Sequence, residues 1–161
     1  MLKVGHSHRL RSGRVSIEGQ AYLLTTVSLG RRRWFGDFWL GCLASRVLVQ
    51  PRLWTDATLL AWVLMPDHLH ALVQLGPGGT LPRLAQRIKA VSSMEVGRAT
   101  GARGVWEHGY HDRAIRRDEA LRDVARYVIA NPVRAGLVQS VADYPFWDAA
   151  WVGELGNPLD P

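Results

Sequence analysis

The sequence predicts an α+β fold, a split βαβ sandwich with helices on one face of an antiparallel sheet. Three observations carry this expectation. Segments rich in β-branched and aromatic residues alternate with segments of helical spacing in the order β-α-β-β-α-β-α. The two central strands are separated only by Pro66-Asp67, which makes them an antiparallel hairpin. The chain has 161 residues, 47% of them hydrophobic, which is enough for one packed core without disulfides or a structural metal. That order of elements is the ferredoxin-like one.

The elements follow from local chemistry. Tyr22 to Ser28 (YLLTTVS) reads as a strand ending at Gly30. Phe35 to Val49 carries Trp39, Leu40, Leu43 and Val47 at helical spacing and stops before Pro51. Thr58 to Met65 is nearly all apolar, as in a central strand covered on both faces. His68 to Leu75 alternates with period two and closes at Gly76. Leu81, Leu84, Ile88 and Val91 mark an amphipathic helix with Thr80 as its N-cap, broken between Thr100 and Gly104. Tyr110 to Ile115 is a fourth strand, and a last helix runs from Asp118 to Asn131, where Pro132 stops it.

Size and composition exclude several classes. A (β/α)₈ barrel needs about 250 residues. One cysteine, Cys42, permits neither a disulfide framework nor a Cys-rich zinc site. With no apolar run near ~20 residues and no apolar leader, a cytoplasmic protein without membrane contact is expected. The net charge is +6, and it is unevenly spread. All 20 basic residues and only 10 of the 14 acidic ones lie in residues 1–140. Three parts are therefore expected: a basic arm (1–19), one domain (20–147) and an acidic tail (148–161). A basic body points to a polyanion, most often a phosphate backbone. All but Lys3 and Lys89 of the bases are arginine, which suits phosphate forks, although a GC-rich genome gives the same bias.

Two constellations could carry chemistry. On the strand His68-Leu69-His70, alternation places both imidazoles on one face, roughly 6–7 Å apart along the chain, close enough to share a metal ion. The same pattern fits two polar side chains on a solvated face. On the last helix, Leu121, Val124, Ala125, Val128 and Ile129 form an apolar stripe, flanked by Tyr127 and Asn131 one turn apart. These two are either a phenol and a carboxamide beside a site or a half-buried tyrosine and a helix-ending asparagine. Arg31, Arg32, Arg33, Arg103, Arg113, Arg116, Arg117 and Arg134 fall in or beside loops, where they could contact phosphates or merely be solvated. Trp106 and Tyr110 could stack on unpaired bases, and Trp106 fits the core equally well. His108 and His111 are spare imidazoles, solvated or competing for a metal.

Three stretches taken together resemble one family: WVLMPDHLHALV (Trp62 to Val73), the Trp- and His-containing GVWEHGYH (Gly104 to His111), and Tyr127-x-x-x-Asn131-Pro132-Val133-Arg134-x-Gly136-Leu137-Val138. These are similar to the single-tyrosine HUH (IS200-like) transposases, in the branch associated with repetitive extragenic palindromes, over about residues 20–147. The resemblance implies that His68 and His70 hold a divalent metal, Mg²⁺ or Mn²⁺, with Asn131 completing the site and Tyr127 as nucleophile. Relatives often carry a second tyrosine two residues on; here that position is Ile129. Lys89 matches a frequently basic position that faces DNA. The implied activity is cleavage and rejoining of single-stranded hairpin or palindromic DNA through a 5′-phosphotyrosine, releasing a 3′-hydroxyl. Relatives occur as monomers and as homodimers. Two other activities stay open from the residues alone: a domesticated DNA-binding protein without cleavage, and a metal-dependent enzyme acting on a non-nucleic substrate.

Overall fold

The computed structural model describes residues 15–152. Its elements in chain order are β1 (Ala21–Val27), α1 (Phe38–Leu48), β2 (Ala57–Met65), β3 (His68–Leu75), α2 (Leu81–Thr100), β4 (His111–Ala114), α3 (Leu121–Ile129), the short α4 (Asn131–Arg134) and β5 (Trp147–Ala149). The sheet runs β4-β1-β3-β2-β5, every neighbour antiparallel. This is the expected α+β architecture with a fifth strand added at the β2 edge, and it departs from the expected one-sided arrangement only in α3.

Several boundaries shift for identifiable reasons. α1 starts at Phe38 rather than Phe35, because the Asp37 carboxylate accepts the Leu40 N–H (3.0 Å) and Trp34–Gly36 forms a separate 3₁₀ turn. Thr80 precedes α2 without capping it through its side chain; the Leu81 N–H is taken instead by Ser16 Oγ (3.0 Å). The last helix begins at Leu121 rather than Asp118. The carboxylates of Asp118 and Glu119 are spent on Arg116 and Arg113, and Glu119 also accepts the Arg116 N–H. It breaks at Ala130 and resumes as α4, whose second residue, Pro132, has no N–H to donate.

α1 and α2 pack against each other and so share one face, as right-handed β1-α1-β2 and β3-α2-β4 crossovers would place them. α3 packs on β2, β3 and β5. It lies on the opposite face, beside His70 and Leu72. Neighbouring residues of β3 show the consequence: Leu72 and Val73 point to opposite faces, and both are 0% exposed. The continuous apolar run of β2 therefore has a cause, since both its faces are covered.

The ends fold onto this body. Gly19 N–H bonds Leu75 O (2.8 Å) and Ile17 N–H bonds the Tyr22 hydroxyl (3.1 Å), so residues 17–19 are hydrogen-bonded to the sheet while Val15 and Ile17 keep their side chains exposed. β5 pairs with β2, and Phe146 lies against Gly41 of α1, where a Cβ would collide with its ring. Tyr144 donates to Leu64 O (2.6 Å), and its burial pushes its pKa up to about 12. The strand spans the expected boundary at 147/148, so residues 148–149 belong to the sheet. The remainder of the basic arm (1–14) and of the acidic tail (153–161) lies outside the described residues. Among those described, no helix is long and apolar enough to cross a membrane.

Candidate active site

The hairpin places His68 and His70 on the face of β3 that α3 partly covers. Their rings lie edge to face with centroids 4.8 Å apart. Each has its Nδ1 engaged by the protein. His68 Nδ1 donates to Asp67 Oδ1 (2.6 Å), and His70 Nδ1 shares a hydrogen bond with Thr25 Oγ1 (2.7 Å), its partner across the β1–β3 pairing. Both Nε2 atoms are left without a protein hydrogen bond among the described residues, the arrangement found where histidines bind metals through Nε2. Burial, and then the charges of His68 and Arg134, lower the His70 pKa to about 4, so its imidazole is neutral and its lone pair available at ordinary pH. Burial pushes the Asp67 carboxyl up, but His68 and Arg31 outweigh it and hold the pKa below the usual value.

The tyrosine is carried by α3, which packs on the strand that bears the histidines. Val124, Ala125, Val128 and Ile129 seat α3 on the sheet, which turns Tyr127 outward at 59% exposure. Arg134 then joins the two halves. Its guanidinium stacks on the Tyr127 ring at 3.7 Å from the centroid and donates to Tyr127 O (2.6 Å), while its charge acts on His70. Asn131 stands at the α3–α4 break, with Nδ2 donating to Val128 O (2.8 Å) and Oδ1 unclaimed by hydrogen bonds among the described residues. No group of three His, Cys, Asp or Glu side chains forms there among the described residues. Two imidazoles and one amide oxygen are the donors available, a neutral set that suits a hard divalent ion which also binds phosphate oxygens.

The expected DNA contacts divide. Trp106 is corrected: it is 8% exposed, packs on Phe35 at 5.2 Å and donates its indole N–H to Ser92 Oγ (2.8 Å), so it fills the core. Lys89 donates to the carbonyls of Glu107 (2.8 Å) and Gly109, pinning the loop before β4. Arg113 and Arg116 are ion-paired with Glu119 and Asp118, Arg31 with Asp67, and Arg32 lies over Trp34. Arg33, Arg103 and Arg117 are exposed and have no carboxylate partner among the described residues. His111 faces the same way as His70, with Thr25 between them, but two strand spacings, about 9–10 Å, keep it off a shared ion. A cleft of about 1130 Å³ opens between α2, the 104–110 segment and residues 15–17, and none of His68, His70, Tyr127 or Asn131 lines it. A polymer backbone needs an open face more than a cavity, so the histidine face remains the better candidate.

Sequence reasoning missed three participants. Thr25 becomes visible only once strand register is known. Asp67 was legible but read only as a turn residue. Arg134 was expected on phosphate and is found clasping the tyrosine.

The chain is similar to known proteins of one family. The family profile described as "Transposase IS200 like" matches residues 29–131. A REP-associated tyrosine transposase of Escherichia coli (strain K12) is 30% identical over 86 residues, 53% of this chain and 50% of that protein. The match thus spans half the length of the curated relative. A solved structure of a REP-associated tyrosine transposase bound to a REP hairpin superposes with a TM-score of 0.67 at 25% identity, covering 92% of this chain and 86% of the other. With the profile matched over most of its length, from the loop after β1 to Asn131, this chain belongs to the IS200-like transposase family.

Proposed function

We propose that this chain is a metal-dependent DNA transposase that cleaves and rejoins single-stranded hairpin or palindromic-repeat DNA through a covalent 5′-phosphotyrosine on Tyr127. The observation that carries this reading is the packing of α3, which bears Tyr127, on β3, which bears the paired His68 and His70. The solved relative held on a REP hairpin adds support for the substrate class.

His68 and His70 through Nε2, with Asn131 through Oδ1, are the residues that would hold Mg²⁺ or Mn²⁺. Such an ion supplies Lewis-acid stabilisation to the non-bridging oxygens of the scissile phosphate. Tyr127 Oη attacks phosphorus, the bond to the 3′-oxygen breaks, and the phenolic proton is balanced by the one gained at the released 3′-hydroxyl. The tyrosine–phosphate ester keeps a phosphodiester's energy, so a second 3′-hydroxyl can reverse the step. Arg134 orients the ring and offsets negative charge on the phosphate. Arg31, Arg32, Arg33, Arg103, Arg116, Arg117 and Arg113 supply backbone contacts, with Lys89 acting at the loop it pins. The unpaired Arg33, Arg103 and Arg117 contribute most, because a phosphate there displaces no carboxylate.

The test mixes protein, labelled hairpin oligonucleotides and Mn²⁺, and looks for a denaturant-resistant adduct. An adduct with wild type and none with Tyr127→Phe is expected, with DNA binding retained by the variant. Salt-sensitive binding without an adduct in either protein would favour a domesticated binding module instead.

A further inference from the structure

We infer that Asp67, gripped by Arg31, is the positioning residue of the metal site. It fixes His68 in the tautomer that presents Nε2, an inference that rests on the metal reading above. The carboxylate is used at both ends: Oδ1 takes the His68 Nδ1 proton at 2.6 Å, and Oδ2 faces Arg31 Nη1 at 3.5 Å. A carboxylate only accepts, so it holds the proton on Nδ1 and leaves the lone pair on Nε2. His70 has no equivalent, because a threonine hydroxyl can donate as well as accept and does not by itself select a tautomer. The donor set of two imidazoles and an amide carries no formal charge, and Asp67 places one negative charge a single hydrogen bond away.

The backbone around this pair is over-determined. The Asp67 carbonyl accepts the Ser28 N–H (2.9 Å), the Pro66 carbonyl accepts the Phe35 N–H (3.0 Å), and Ser28 Oγ donates to Arg32 O (2.6 Å). The loop so anchored holds Arg31 at φ 57°, in the left-handed region that a side chain bearing a Cβ rarely adopts. Strain of that kind persists where surrounding contacts enforce it, and here it sits on the residue whose guanidinium meets Asp67.

Two readouts on the full chain test this without DNA cleavage. The first is the ¹⁵N signature of the His68 ring in metal-free protein, which reports its tautomer. The second is calorimetric titration with Mn²⁺. Asp67→Asn should reduce the Nδ1–H tautomer and weaken Mn²⁺ binding by about 10- to 100-fold, with a melting temperature of the metal-free protein that falls but still shows a folded chain. Arg31→Gly relieves the backbone strain, keeps Asp67 and should weaken binding less, in the same direction. It also decides the matter if Asp67→Asn does not fold. An unchanged tautomer and unchanged affinity in these variants overturn the inference. His68→Ala separates the two levels. If it abolishes Mn²⁺ binding while Asp67→Asn does not, only the role of Asp67 falls; if it binds like wild type, the metal reading fails and takes this inference with it.

Discussion

β3 and α3 carry the two halves of the candidate site and are held in opposite ways. β3 is the middle strand of five; its histidines sit over a fully buried sheet, and each ring is tied at Nδ1 by a residue of another strand or of the adjoining turn. α3 is only nine residues long, keeps its apolar stripe on the sheet and leaves Tyr127 largely in solvent, steadied by one arginine. The half that would hold the ion is preorganised, which the neutrality of its ligands requires. The half that would carry the nucleophile leaves its phenol open to solvent, where a nucleic acid strand can reach it.

That contrast can be broken from either side. The largest effect is expected on the rigid half: His70→Ala should abolish Mn²⁺ binding and slow adduct formation by on the order of 10³-fold or more, measured in single-turnover cleavage. Acid should also unseat that half first. The unfolded His70 takes a proton near pH 6.5 and the folded one only at about 4, so stability is full above that window and falls as pH drops through it, by on the order of 3 kcal/mol. Asp56, held below the usual carboxylate range by Arg87, and Asp67 add their losses lower still. Urea midpoints across this range should fall with acidity in wild type and flatten in His70→Gln.

On the looser half, Arg134→Ala removes an exposed cation–π contact of about 0.5–1 kcal/mol. Adduct formation should drop by roughly two- to fivefold, with the urea midpoint little changed. Equal adduct rates would show that the tyrosine needs no tether. The smallest effects belong to the surface. Arg103→Ala should lower the salt dependence of DNA affinity by about one phosphate contact, whereas Arg113→Ala should do less because Glu119 already occupies its guanidinium.

Much of this was legible along the chain. The hairpin, the alternation of β3 and the helical offset between Tyr127 and Asn131 are local periodicities, which depend on a few neighbouring residues and on backbone geometry. Trp106 was ambiguous because a tryptophan in a loop can stack on a base or fill a core, and only its position against Phe35 and Ser92 decides. α3 covers the second face of the sheet, a placement that no local pattern encodes, although the two-sided apolarity of β2 was a hint.

The sequence by itself determined the elements, their order, the basic body and which residue types could hold an ion or attack a phosphate, because periodicity, charge and motif spacing are properties of the chain. Only the tertiary structure decided which groups stand beside those residues. Thr25 meets His70 through strand register across 45 positions, Arg31 meets Asp67 through a strained loop, and Arg134 meets Tyr127 through the break at Ala130. The first two contacts arise when remote segments pack, the third when a helix breaks and turns back on itself, and both depend on the whole core at once.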